Sequence, residues 1–338
     1  MSDSPMNDSV REASDPGTFD EQRRRAIEHV AALRQEIRKA IIGQDAVVDG
    51  VLTALIAGGH VLIEGVPGLG KTLLVRALAR CLGGTFSRVQ FTPDLMPGDV
   101  TGHALFDLKT EQFRLRRGPV FTNILLADEI NRAPAKTQAA LLEVMQEGQV
   151  TIEGRALPVP QPFLVLATQN PIEQEGTYPL PEAELDRFML MLRVDYPELD
   201  AERLLVRTVC DAPTDLLVAA ALRPLCQPAD VSALQRVAAA LPVDDQVVDY
   251  AVRLARATRN QPGLVHGAGP RASIALVRCA RARALLRGGE FVMPSDVRDC
   301  ALDVLRHRVR LSAELEIEGI GIDQVLNGLI TETAAPRL

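Results

Sequence analysis

The chain has 338 residues, 47% of them hydrophobic and 24% charged, a globular composition long enough for two domains of ordinary size. Its net charge of −7 argues against broad electrostatic binding to nucleic acid or to an anionic membrane surface. Five scattered cysteines without C-x-x-C spacing argue against a disulfide framework and predict a reducing, cytoplasmic setting.

Residues 1–17 are rich in Ser, Asp, Pro and Gly and are expected to form a disordered tail. Met1 to Asp20 is polar and acidic, unlike a signal peptide. From Phe19 the spacing turns helical, with Ile27, Val30, Leu33, Ile37 and Ile41 on one face. Ile42-Gly43-Gln44-Asp45 interrupts it. A second helix then runs through Val47, Val51, Leu55 and Ile56 to Gly58-Gly59. The longest apolar stretch, Val51 to Ile63, is too short to span a bilayer, so no membrane insertion is expected.

His60 to Glu64 reads as a buried strand and Leu73 to Cys81 as a helix. Between them, Gly65-Val66-Pro67-Gly68-Leu69-Gly70-Lys71-Thr72 fits G-x-x-x-x-G-K-[ST]. Glycines there let backbone N–H groups turn inward around phosphate oxygens, and the helix N-terminus adds partial positive charge. Lys71 would reach the β- and γ-phosphates, and the Thr72 hydroxyl would hold Mg²⁺. The chain has only four lysines (Lys39, Lys71, Lys109 and Lys136), so a lysine here marks a task that the bulkier guanidinium cannot perform. A glycine-rich turn could match by accident, but strand and helix flank it as a phosphate loop requires.

Phe86 to Phe91 reads as a second strand. The prolines of Thr92 to Asp99 argue against regular helix or central strand. Phe106 to Leu115 alternates as a hairpin would. Asn123 to Glu129 is an apolar strand ending in two carboxylates, followed by a helix over Pro134 to Glu147. Gln149 to Gly154 looks like half of a small hairpin. Phe163 to Thr168 and Arg187 to Val194 complete the strands, and Tyr196-Pro197 closes the α/β half. From Glu198 onward the pattern is almost wholly helical, broken at Asp211-Ala212-Pro213, Gln227-Pro228, Leu241-Pro242, Gln261-Pro262-Gly263 and Gly288-Gly289, which predicts a small helical domain.

Downstream of a phosphate loop, Asp128 would hold Mg²⁺ and Glu129 would activate water against the γ-phosphate. Adjacent carboxylates at a strand's C-terminal end fall in the crevice where α/β sheets bind ligands. Asn170 ends the next strand and could reach the same crevice, although polar residues also end strands simply as turn formers. Arg187 and Arg271 are candidate charge stabilisers among many surface arginines. Arginines at 278, 281, 283 and 287 lack interleaved aromatics and read as a solvated helix face. Five histidines without ligand spacing give no sign of a metal site beyond Mg²⁺.

Several blocks together resemble the MoxR family of AAA+ ATPases. They are Glu64 to Thr72, Phe91 to Pro97, Asp128 to Pro134, Ala167 to Pro171, Glu175 to Ala183, Leu185 to Phe188 and Gly269 to Ser273. The match covers nearly all of residues 20–335. It implies a P-loop NTPase fold, a parallel sheet flanked by helices over residues 18–197, with a helical lid over 198–338. By this resemblance Gly65, Gly68, Gly70, Lys71 and Thr72 fall on Walker A and Asp128 and Glu129 on Walker B, with Pro67, Leu69 and Leu73 also expected to contact the nucleotide. Asn170 matches sensor 1, Arg187 the arginine finger offered to a neighbouring subunit, and Arg271 sensor 2. Gly43 and Gln44 fall where adenine packs, and Phe91 to Asp99 matches an insertion facing the ring pore. Gly269 departs from the family's usual Ser, which bears on the fine position of Arg271.

The resemblance further implies ATP and Mg²⁺ as cofactors, a hexameric homo-oligomer, and remodelling of protein clients, in some cases a von Willebrand factor A-domain protein. Three rivals share the core chemistry: a metal-chelatase motor subunit, a slow nucleotide-gated binding module, and a DNA helicase or transcription activator. The activators' Gly-Ala-Phe-Thr-Gly-Ala loop is absent.

Overall fold

Strands β1 (Val61–Gly65), β2 (Phe86–Gln90), β5 (Ile124–Asp128), β8 (Leu164–Gln169) and β9 (Leu190–Val194) form one parallel sheet in the order β2-β5-β8-β1-β9. The computed structural model describes residues 16–66, 68–107, 111–170, 176–210 and 221–337. Because both faces of a parallel sheet are covered, its central strands are apolar throughout rather than alternating with polar residues. Successive side chains still point to opposite faces. Val61, Ile63, Ile124, Leu126, Leu164 and Leu166 enter one core layer, and Leu62, Leu125, Ala127, Val165 and Ala167 enter the other.

The first layer is covered by helices α1 (Pro16–Arg38), α2 (Asp45–Ala57) and α3 (Lys71–Leu82). Helix α1 begins inside the stretch expected to be a disordered tail, because Pro16 stands at its first position, where a proline's missing N–H costs nothing. The remainder of that expected tail, residues 1–15, lies outside the described residues.

The second layer is covered by α5 (Ala135–Glu147) and by the segment after β2. That segment differs from its sequence reading. Pro97 opens a one-turn helix, α4 (Pro97–Thr101), which a proline tolerates at the first turn, and Asp99 accepts from the Met96 N–H at 2.9 Å. Two hairpins follow the expected pattern: β3 (Gly102–Asp107) with β4 (Gln112–Arg117), and β6 (Gln149–Ile152) with β7 (Arg155–Pro158). Arg187 lies in the turn between the one-turn helix α6 (Glu182–Leu185) and β9, three residues before the strand begins.

The C-terminal part contributes α7 (Leu199–Cys210), α8 (Pro228–Ala240), α9 (Asp245–Ala257), α10 (Pro270–Arg287), α11 (Pro294–Leu305), α12 (Ala313–Ile317) and α13 (Ile322–Glu332). An antiparallel pair not foreseen from sequence, β10 (Leu264–His266) with β11 (Arg310–Leu311), interrupts them. Helices α1 and α2 pack against α8 and α10, so one buried core runs from Ala26 to Ile330 across both halves. The arginines of α10 are not simply solvated. Arg278 donates to Ala57 O at 2.7 Å, satisfying a carbonyl at the C-terminus of α2, and Arg287 pairs with Asp296 at 2.8 Å. Among the described residues, no helix is long and apolar enough to cross a membrane.

Candidate functional site

The loop after β1 is shaped by its glycines. Gly68 and Gly70 have φ of +86° and +77°, the left-handed region that glycine enters without a side-chain clash. Gly65 is required for another reason: a Cβ there would stand 2.7 Å from the Val194 carbonyl oxygen on β9. Pro67 lies outside the described residues. Lys71 and Thr72 open α3, and Lys71 Nζ donates to Gly65 O at 2.5 Å. Burial lowers the Lys71 pKa, while Asp128, Glu129 and Glu64 favour its charged form. The Lys71 side chain is therefore part-desolvated and faces the loop.

Gln44 Nε2 donates to Leu69 O at 2.9 Å and ties the break between α1 and α2 to the loop. Gly43 adopts φ of +75°, and a Cβ on it would come within 2.6 Å of the Ala201 Cβ, so glycine lets α7 approach. Ile41, Ile42, Leu69, Leu73, Pro197 and Leu205 line a cleft of about 390 Å³ beside the loop. A small apolar cleft opening onto a phosphate loop suits a flat heteroaromatic base.

Asp128 and Glu129 leave the end of β5 side by side, and Thr168 on β8 binds both. Its hydroxyl donates to Asp128 Oδ1 at 2.6 Å and accepts from the Glu129 N–H at 2.9 Å. Glu129 itself sits at φ of +55°, a left-handed conformation that side chains other than glycine adopt at a cost. Strand β2 supplies two more partners on one face. Arg88 Nη2 donates to Asp128 Oδ2 at 2.7 Å, and Gln90 Nε2 donates to Glu129 Oε2 at 2.7 Å. Arg132 Nη1 donates to the same glutamate oxygen at 3.0 Å. Thr168, Arg88 and Gln90 were not singled out in the sequence. The two-residue spacing of Arg88 and Gln90 in a strand was the available signal for that pair.

Asn170 follows β8 directly and is buried. Glu64 pairs in register with Gln169, so Gly65, Asp128, Glu129 and Asn170 all emerge at the C-terminal edge of the sheet. The oxygen donors there, the Thr72 hydroxyl and the Asp128 carboxylate, are the hard ligands that Mg²⁺ takes. Lys71 and the loop's N–H groups suit phosphate. The residues present fit a Mg²⁺–nucleotide.

Arg187 and Arg271 are not brought to that edge. The Met189 N–H donates to His60 O at 2.8 Å, which places the Arg187 turn at the N-terminal edge of the sheet. Arg271, at the start of α10, lies 3.5 Å from Asp186 Oδ2, and both arginines border a depression beside Gly58, Gly59 and His60. At about 3.3 Å per residue, β1 separates this edge from Gly65 by about 17 Å. The two arginines cannot meet the phosphate loop of their own chain as folded here. Gly269 caps α10 with extended backbone, and a Cβ there would meet nothing within 4 Å, so packing does not dictate its departure from Ser.

Residues 60–190 match the family described as "ATPase family associated with various cellular activities (AAA)", and residues 256–327 match the AAA lid domain. The chain is 46% identical over 312 residues to Chaperone MoxR1 of Mycobacterium tuberculosis, covering 90% of this chain and 81% of that protein. It is 43% identical to YeaC of Bacillus subtilis, covering 92% and 94% of the two chains. A crystal structure from Cytophaga hutchinsonii superposes with a TM-score of 0.87 at 37% identity, covering 95% of this chain and 99% of that one.

Proposed function

The chain belongs to the MoxR family of AAA+ ATPases, and from that premise we propose that it hydrolyses Mg²⁺–ATP in a hexameric ring to remodel partner proteins. The observation that carries this reading is the division of its polar machinery between two sheet edges. Lys71, Asp128, Glu129 and Asn170 gather at one edge, and Arg187 and Arg271 stand at the other. Such a site is complete only where one chain's nucleotide edge meets the arginine edge of the next.

In this reading Lys71 exchanges Gly65 O for oxygens of the β- and γ-phosphates, and Gln44 holds the loop beside the base. Thr72 and Asp128 would hold Mg²⁺, which when bound would neutralise charge on the phosphates. Glu129 orients water and takes its proton as the γ-phosphoryl group passes to the water oxygen, releasing ADP and phosphate. Asn170 holds the water or a γ-oxygen. Arg187 and Arg271 of the adjoining chain stabilise the charge that develops. The Phe91–Asp99 insertion passes the resulting motion to a protein client, for which a protein with a von Willebrand factor A-type domain is the candidate partner.

Two substitutions separate binding from chemistry. Lys71→Ala is expected to abolish ATP binding, whereas Glu129→Gln is expected to bind ATP and retain it uncleaved. Equal loss of nucleotide affinity in both variants would remove Glu129 from the role of base. Steady phosphate release far slower than about once a second in the native ring would favour a nucleotide-gated binding module instead.

A further inference from the structure

Arg308 follows α11, and its side chain is only 3% exposed. Its guanidinium is spent on the turn that carries Arg187. Nε donates to Asp186 Oδ1 at 2.7 Å, and Nη2 donates to Phe188 O at 2.6 Å and to Asp186 O at 3.4 Å. Nη1 donates to Met189 O at 3.2 Å and also to Val304 O at the end of α11. One buried side chain thus binds backbone carbonyls on both sides of Arg187. The other oxygen of the same carboxylate, Asp186 Oδ2, faces Arg271 at 3.5 Å. Neighbouring His307 Nε2 lies 3.0 Å from Phe188 O, and Arg306 Nη1 donates to Met191 O at 2.9 Å, so the segment 306–308 grips the approach to β9.

A guanidinium that must meet a phosphate on another chain has to be held in place before the chains meet, because loss of orientation is lost rate. Arg187 sits in an irregular turn with no helix or strand to fix it. We propose that Arg308 is the positioning residue for the trans-acting arginines: it fixes the Arg187 turn by its carbonyls and Arg271 through Asp186, so that the lid sets the geometry of the neighbouring subunit's active site. This rests on the shared-site reading above. A buried arginine with a purely structural role would stabilise its own chain and leave the assignment of defects to one side of an interface untouched.

The test uses the full-length protein with Arg308→Gln, and with Asp186→Asn in case the first variant does not fold. Each is expected to bind ATP as the native chain does and to lose about tenfold or more in kcat. Mixing either variant with Glu129→Gln should restore ATPase activity, because some interfaces then pair an intact Glu129 with an intact arginine edge. Mixing either with Arg187→Ala should restore nothing, since both defects lie on the same side. Native kcat in both variants would overturn the proposal. So would failure to recover with Glu129→Gln under conditions where Arg187→Ala does recover with it. If Arg187→Ala also fails to recover although labelled subunits exchange, the shared-site reading itself falls, and this inference falls with it.

Discussion

At the scale of single residues, Thr168 does the most with the least. One hydroxyl donates to Asp128 and accepts from the Glu129 N–H, holding that glutamate in a conformation the backbone disfavours. Thr168→Val preserves shape and removes both bonds. The part-buried N–H left without its partner is expected to cost about 1 kcal/mol, and misplacement of Glu129 about 10²-fold in kcat. Thr168→Ser should recover most of both, measured by urea unfolding and phosphate release. His60 gives a separate test by pH. Burial depresses its pKa from 6.5 to about 4, and it stays neutral between Met145 O and the Val165 N–H. The unfolded chain binds a proton there between those values and the folded chain does not, so stability is full above about pH 6.5 and falls as pH drops toward 4. His307 is depressed by burial in the same sense, whereas burial raises Asp303 to about 6 and opposes them. His60→Gln should therefore flatten the stability loss between pH 6.5 and 4 by up to one proton without abolishing it; an unchanged slope in denaturant titrations would contradict the assignment.

At the scale of elements, the segment Phe91–Asp99 divides its two adjacent apolar residues between core and solvent. Leu95 packs against the core beneath α5, and its carbonyl accepts from Thr137 Oγ1 at 2.6 Å, while Met96 is 64% exposed. A client contact would therefore fall to Met96. Met96→Ser is expected to leave basal ATPase activity and melting temperature unchanged and to abolish any stimulation by client; Leu95→Ser should instead destabilise by about 2 kcal/mol or more. Comparing thermal unfolding with client-stimulated turnover reads both. The sheet, the glycine loop after β1 and the paired carboxylates at the end of β5 were legible in the sequence, because buried strands and positive-φ glycines leave local patterns. The polar network was not. Thr168, Arg88 and Gln90 come from strands β8 and β2 and meet β5 only through sheet order, which no local pattern encodes. Arg308 lies 122 residues from Asp186, and nothing at either position announces the other.

At the scale of the molecule, one core joins the N-terminal helices to the helical C-terminal part, and segment 306–308 ties that part to the sheet edge bearing Arg187. The nucleotide edge and the arginine edge then belong to a single body, so in the proposed ring a change at one would be felt at the interface formed by the other. Within one chain, however, Arg187 and Arg271 stand away from the edge that carries Lys71, Asp128 and Glu129, and in the proposed function a neighbouring chain brings the two sets together. Arg187→Ala and Glu129→Gln should each bind ATP. Loss of an arginine supplied in trans is expected to cost roughly 10³–10⁵-fold in rate, and loss of the base should likewise leave little turnover. The direct measurement is ATPase activity after mixing these two inactive variants, with exchange of labelled subunits confirmed in the same sample. Recovery of activity, from interfaces that pair an intact Glu129 with an intact Arg187, is the predicted result. Exchange without any recovery would contradict the account.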